Sequence, residues 1–201
     1  MWKRIANIDK RSLLAGMLIV VGLTMIAYYY GTGGYTYFVQ KELRQDWLKA
    51  VATAKSKIKQ PPDDGLVTNS VGQKIFGRLK IPKLGLDVIV LEGTDRSTLT
   101  KGPGHIIGTS APWERGNTAI SGHRTTFGAP FANLGRLRGG DKLVLLTLGG
   151  DYIYKVTGRA VVRPDDVSVI GQDFRDRLTI TTCDPPGSAA KRLTIWAEKD
   201  M

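Results

Sequence analysis

A mostly β domain carried outside a membrane by one N-terminal helix is the architecture this sequence predicts. Three observations carry it. Ser12–Tyr30 is an apolar run without a charge. From Lys74 onward, short stretches rich in Val, Ile, Leu, Thr and Tyr are separated by Gly, Pro, Asp and Asn. No long helical pattern is interleaved among them. Short strands at this spacing imply a barrel or sandwich, and the lack of alternating helices argues against a doubly wound parallel sheet.

The apolar run comes first. Its length at 1.5 Å per residue is roughly 28 Å, enough for the hydrocarbon core of a bilayer. Residues 1–11 carry four bases and one acid, and Tyr28, Tyr29 and Tyr30 close the run as an interfacial aromatic belt does. The positive flank predicts a cytoplasmic N-terminus, with the chain after Tyr30 outside. A cleaved signal peptide would have an apolar core of about 7–15 residues and an Ala-x-Ala-like site; this run is longer and no such site follows. A buried core helix would show a polar face, and none is present.

Lys41–Lys59 is charged, contains Ala and lacks Gly and Pro, so it reads as a helix outside the membrane. Its lysines suit either anionic lipid heads or plain solvent. Pro61-Pro62-Asp63-Asp64-Gly65 ends any helix, and the stretch to Gln73 reads as linker. The expected division is therefore a cytoplasmic tail over 1–11, a membrane anchor over 12–30, a helical stalk and linker over 31–73, and the β domain over 74–201. Strands are expected over residues 75–82, 87–93, 118–123, 142–148, 152–162, 177–183 and 192–198, with a hairpin turn in Leu148-Gly149-Gly150-Asp151-Tyr152.

The formal net charge is +11 over 201 residues, but the first 60 residues hold ten Lys/Arg against three acids. The β domain is thus only mildly basic. It has no basic stripe interleaved with aromatics, which argues against a nucleic-acid partner.

Cys183 is the only cysteine, so an intrachain disulfide is excluded. A lone cysteine in an exported chain is either a small buried hydrophobe or a thiol kept for reactivity, and composition leaves both open. With only His105 and His123 beside it, no familiar zinc spacing exists, and no acidic cluster suggests calcium. In a strand over Arg177–Cys183, Leu178, Ile180 and Thr182 share one face, and Thr179, Thr181 and Cys183 share the other. Cys183 therefore ends the strand on its less apolar face, where Asp184-Pro185-Pro186-Gly187 stops it beside a loop. Arg192 opens the next strand. If the two strands pair, its guanidinium lies near the thiol, where it can favour thiolate and bond an oxyanion. His123 ends its own strand in Thr118–Arg124. By itself such a histidine reads as structural; beside one Cys and one Arg it reads as an acid/base partner.

These residues resemble the sortase family from about Ile75 to Glu198. The family's Thr-Leu-x-Thr-Cys motif is matched by Thr179-Ile180-Thr181-Thr182-Cys183, with Ile for Leu. The sortase arginine maps to Arg192, and the family histidine, in its Gly-His context, to Gly122-His123. Leu79–Leu86 resembles the early sortase strand, and Gly102-Pro103-Gly104-His105 a segment of several sortase classes. His123–Phe131 is most similar to the class E sortases of high-GC Gram-positive bacteria, with class D next. Those enzymes commonly carry Tyr where this chain has Phe127 and His where it has Asp184.

The resemblance implies a closed eight-stranded β-barrel with short helices and no cofactor. It implies cleavage of a Leu-Pro-x-Thr-Gly or Leu-Ala-x-Thr-Gly sorting signal between Thr and Gly. Cys183 would be the nucleophile, His123 the acid/base, Arg192 the oxyanion stabiliser and Thr182 a helper in binding substrate and oxyanion. The implied partners are surface proteins or pilins bearing the signal and an amine such as a lipid II cross-bridge. His105 is expected to be structural or substrate-lining. Arg124 and Trp113 are expected on the surface or in loops, and Asp184 as a turn former that could also orient Arg192. An L,D-transpeptidase would need His beside the cysteine, and a papain-like protease would have Cys before His. A membrane-tethered, non-catalytic binding domain is the alternative of a different class; it would leave Cys183 buried and inert.

Overall fold

The computed structural model describes residues 9–56, 65–69, 71–172 and 175–200. Its first element is one uninterrupted helix, α1 (Lys10–Ser56). The apolar span and the charged stalk, separate in the sequence reading, are continuous. Gly31, Gly33 and Gly34 each weaken a helix by about 1 kcal/mol relative to Ala, but they do not break it as Pro would. At 1.5 Å per residue α1 extends about 70 Å. The large apolar side chains from Leu13 to Tyr30 are all exposed. By length and composition this stretch is long and apolar enough to cross a membrane.

Among the described residues nine strands follow: β1 (Val67–Thr68), β2 (Lys74–Ile81), β3 (Leu86–Glu92), β4 (Gly104–His105), β5 (Asn117–Ser121), β6 (Lys142–Thr147), β7 (Gly150–Val162), β8 (Arg177–Asp184) and β9 (Lys191–Lys199). Eight of them run in the order β2-β3-β4-β5-β8-β9-β7-β6, and β6 pairs back onto β2 to close the barrel. β1 adds to the outer edge of β2. Pairing is antiparallel except at β3–β4 and β5–β8. A four-residue helix, α2 (Arg96–Leu99), is capped by Asp95, whose side chain accepts from Ser97 N and Thr98 N.

Alternation along the strands fills the barrel: Leu79, Ile120, Leu145, Tyr154, Ile180 and Ile195 are buried in one cluster. Burial pushes the Tyr154 phenol pKa well above its ordinary value. Each of the runs expected as a strand forms one. The two-residue strands β1 and β4 come in addition, because so short a segment has no period to read.

The second half of α1 is not a free spacer. Leu43 and Trp47 are buried with Val67, Ile75, Ile89 and Leu91 in a second cluster between helix and barrel. Gln40 presents its amide to the backbone of β3: Oε1 accepts from Ile89 N at 2.8 Å, and Nε2 donates to Ile89 O at 3.1 Å and Lys101 O at 3.0 Å. The side chain thus satisfies a strand edge as a neighbouring strand would. Asp87 accepts from Arg44 of α1 at 3.0 Å and from Arg78 of β2 at 2.6 and 2.7 Å. Burial raises the Asp87 pKa, but the two guanidinium groups outweigh it and hold the carboxyl below its ordinary value. The expected linker likewise contains β1, with Val67 buried and Gly65 at φ +63° under the Trp113 ring. The helix-breaking residues 61–64 lie outside the described residues.

Trp47→Ala removes the largest side chain at this junction and is expected to lower unfolding free energy by about 3 kcal/mol in urea titrations. Lys49→Ala, solvent-facing on the same stretch of helix, is expected to leave it unchanged.

Candidate active site

The site stands where β5 and β8 end and β9 begins. β5 and β8 run parallel, with Ser121 paired to Thr181. Two residues beyond this pair lie His123, just past the end of β5, and Cys183, still within β8. Parallel neighbours about 4.8 Å apart therefore bring these two residues out at the same end of the barrel. β9 flanks β8 on its other side, antiparallel, with Arg192 directly opposite Cys183. Arg192 Nη1 is 3.6 Å from Cys183 Sγ. Cys183 thus stands opposite an arginine on β9, and the histidine that follows β5 emerges at the same end of the barrel.

Buried polar bonds hold this register. The Asn117 side chain accepts from Thr179 Oγ1 at 2.7 Å at the start of the β5–β8 pair. At its end, Gly122 N donates to Thr181 O at 3.3 Å, and Thr182 Oγ1 donates to Gly122 O at 2.7 Å. Gly122 is required there: a Cβ would lie 2.7 Å from the Phe131 ring. The Thr182 hydroxyl, expected as a helper for substrate, is buried and committed to this bond. The hydroxyl that faces outward is that of Thr181, which is buried at 8 % exposure with no hydrogen-bond partner for its Oγ1.

Thr181 and Arg192 belong to a groove of about 220 Å³ on the outer face of β5, β8 and β9. Leu99 and Ile106 line one wall, and Val167, Val169 and Ile170 form the other. The second wall is tied down by Trp196 Nε1, which donates to Val169 O at 3.3 Å, and by Gln172, whose amide pairs with the Asn117 backbone at 3.0 Å in both directions.

The His123 ring is half-buried beside Phe127, with centroids 5.1 Å apart, and desolvation lowers its pKa below the ordinary 6.5. Arg124, expected on the surface, turns inward instead. Its Nη1 donates to Cys183 O at 3.0 Å and to the Asp184 carboxylate. Asp184 therefore engages Arg124, not Arg192, and the loop after β5 is tied to the last residue of β8 by an ion pair 12 % and 23 % exposed at its two side chains. A Cys-Asp dipeptide and a His-Arg dipeptide are visible in the sequence, but their juxtaposition depends on the parallel β5–β8 pairing, which no local pattern reveals. His105 lies apart from Cys183's partners. Both its nitrogens are engaged, by Glu92 at 3.0 Å and Thr109 at 3.0 Å, and its ring stacks on Phe76 at 3.9 Å. That is a structural role.

The Sortase domain family model matches residues 79–200, more than half of the chain and all of this site. The chain belongs to the sortase family. It is 32% identical to Sortase D of Bacillus subtilis over 198 residues, covering 90% of this chain and 95% of that protein. It is also 32% identical to Sortase SrtE1 of Streptomyces coelicolor over 139 residues, covering 61% and 40% respectively. Among solved structures, a point mutant of sortase E from Streptomyces avermitilis aligns at TM-score 0.56 and 37% identity, over 63% of this chain and 88% of that one. Sortase C-1 from Actinomyces oris aligns at TM-score 0.60 and 32% identity, over 63% and 74%. The closed barrel is the sortase fold, and the chain is a cysteine transpeptidase.

Two outcomes follow from this geometry. Arg124→Ala strands the Asp184 carboxylate and is expected to lower unfolding free energy by about 2 kcal/mol in denaturant. The imidazole of His123 is expected to titrate below 6.5 by NMR, and Phe127→Ala, which uncovers the ring, is expected to move that midpoint upward. Because folding disfavours protonation of His123, this group's contribution to stability is full above 6.5 and is lost as pH falls from there through the lower folded value.

Proposed function

We propose that this sortase cleaves a C-terminal sorting signal of the Leu-Pro-x-Thr-Gly or Leu-Ala-x-Thr-Gly type between Thr and Gly. The carried protein is then transferred to a cell-wall or pilin amine. The observation that carries the reading is the 3.6 Å approach of Arg192 Nη1 to Cys183 Sγ, with Arg192 also lining a groove of mixed apolar and polar side chains.

The Cys183 thiolate attacks the Thr carbonyl carbon, and charge develops on its oxygen. Arg192 lies beside the sulfur and stabilises that oxyanion. His123, which follows β5 at the same end of the barrel, donates a proton to the departing Gly nitrogen, leaving a thioester on Cys183. An incoming amine attacks the thioester, His123 takes its proton, and the thiolate returns. The groove formed with Val167, Val169 and Ile170 accepts the apolar start of the signal, and the unpartnered Thr181 hydroxyl meets its backbone. In this reading residues 12–30 span the membrane with the N-terminus in the cytoplasm and the barrel outside, so signals still tethered to the bilayer reach the groove.

The test uses the full chain in nanodiscs, both peptides, triglycine as acceptor, and mass spectrometry of the products. Cleavage between Thr and Gly with a triglycine adduct is expected. Cys183→Ala should abolish it, and Arg192→Ala should lower kcat by about 100-fold or more. No cleavage of either peptide, with Cys183 unreactive to iodoacetamide, would overturn the reading in favour of a tethered binding domain. Ile170→Asp, which puts a charge into the groove wall, is expected to raise KM more than it lowers kcat.

A further inference from the structure

We propose that the loop following His123, Thr125–Ala129, rests in the lipid headgroup layer, so that the catalytic histidine is built onto the membrane-facing side of the barrel. The inference rests on the reading of residues 12–30 as a membrane span. It adds a second contact surface, made by the catalytic domain itself, whose partner is the lipid surface.

Placement along α1 carries the proposal. Tyr29, Tyr30, Gly33 and Gly34 of the helix and Thr125–Ala129 of the loop enclose one groove of about 190 Å³. The loop backbone comes close enough to the helix that a Cβ on Gly128 would lie 3.4 Å from Thr36. Tyr30 closes the apolar span, and Gly34 stands only about 6 Å further along the axis. The headgroup and interfacial region adds roughly 5–7 Å to each side of the hydrocarbon core. A loop seated at Tyr29–Gly34 therefore lies at headgroup depth. The docked helix leaves little freedom to lift it, because Thr36 also donates to Thr100 O at 3.0 Å and Gln40 is bonded to β3.

Composition agrees with the position. No Asp or Glu occurs between Ser121 and Gly140, whereas Arg124, Arg136 and Arg138 do. Such a stretch meets anionic headgroups without repulsion. Three successive residues, Phe127, Gly128 and Ala129, hold positive φ of 49°, 72° and 44°. Non-glycine residues hold that conformation only where surroundings fix it. Here the Phe127 ring packs against His123 on one side and lines the helix groove on the other. The lipid-facing loop and the acid/base group thus share one aromatic contact.

The experiment places a single fluorescent label on full-length chain in a Cys183→Ala background, reconstituted in phosphatidylglycerol-containing nanodiscs. Labels sit at Thr126→Cys, at the neighbouring Thr125→Cys, at Leu18→Cys in the apolar span, and at Asp151→Cys beside the far end of α1. Quenching is read with lipids spin-labelled either on the headgroup or within the acyl chain. The loop labels are expected to lose most of their emission to the headgroup quencher, the Leu18 label to the acyl-chain quencher, and the Asp151 label little to either. If the Leu18 label is quenched while both loop labels behave like Asp151, the loop stands off the bilayer and the proposal fails, with the anchor intact. If the Leu18 label is not quenched either, the anchor reading fails and takes the proposal with it.

Discussion

The parallel, in-register pairing of β5 with β8 is the constraint on which the rest of this molecule depends. His123 and Cys183 are sixty residues apart in sequence. The in-register pair Ser121–Thr181 brings them to the same end of the barrel, His123 two residues beyond the end of β5 and Cys183 two residues further along β8. A shift of one residue would turn every side chain of one strand to its opposite face, carrying Leu178 and Ile180 out of the barrel and Cys183 into it. The buried Asn117–Thr179 and Thr182–Gly122 bonds make such a shift expensive, since each would leave polar groups unsatisfied in the interior. Arg192 then needs no separate device: the short β8–β9 connection places it opposite the thiol.

A second constraint acts from outside the barrel. α1 contributes Leu43 and Trp47 to a shared apolar cluster, Gln40 to a strand edge, and Arg44 to Asp87. These contacts differ in chemistry but agree in geometry, so the helix cannot slide or roll without breaking several at once. The apolar span and the site are consequently parts of one packed body, in which the direction of the helix sets the direction of the groove.

Much of this is legible in the sequence. The longer strands can be read because alternation and turn residues leave a period-two trace, and Cys183, Arg192 and His123 are marked by their strand-end positions and by matching motifs. Other features leave no trace. β1 and β4 are too short to have a period. Arg124 reads as an ordinary loop arginine, because its partners, Cys183 O and Asp184, are about sixty residues away and reach it only through the β5–β8 pairing. Thr182 carries the family motif and so reads as a substrate contact, yet its hydroxyl faces inward; the alternation that sends Cys183 outward also sends Thr181 outward and Thr182 in. The charged stretch after Lys41 reads as a solvated helix because its buried stripe, Leu43, Trp47, Ala50 and Val51, is narrow and set among eight charged residues.

The amide of Gln40 has a consequence of another kind. β4 pairs with β3 only at Leu91 and Glu92, so the middle of β3 owes its coverage to a side chain rather than to a strand. A protease that cut α1 before Gln40 would release a barrel with that edge still sealed. A cut beyond Gln40 would leave the Ile89 backbone uncovered at that edge, while Leu43 and Trp47 would still shield Val67, Ile75 and Leu91 unless the cut fell beyond Trp47 as well. The position of a single glutamine therefore decides whether a truncated chain keeps that strand edge covered.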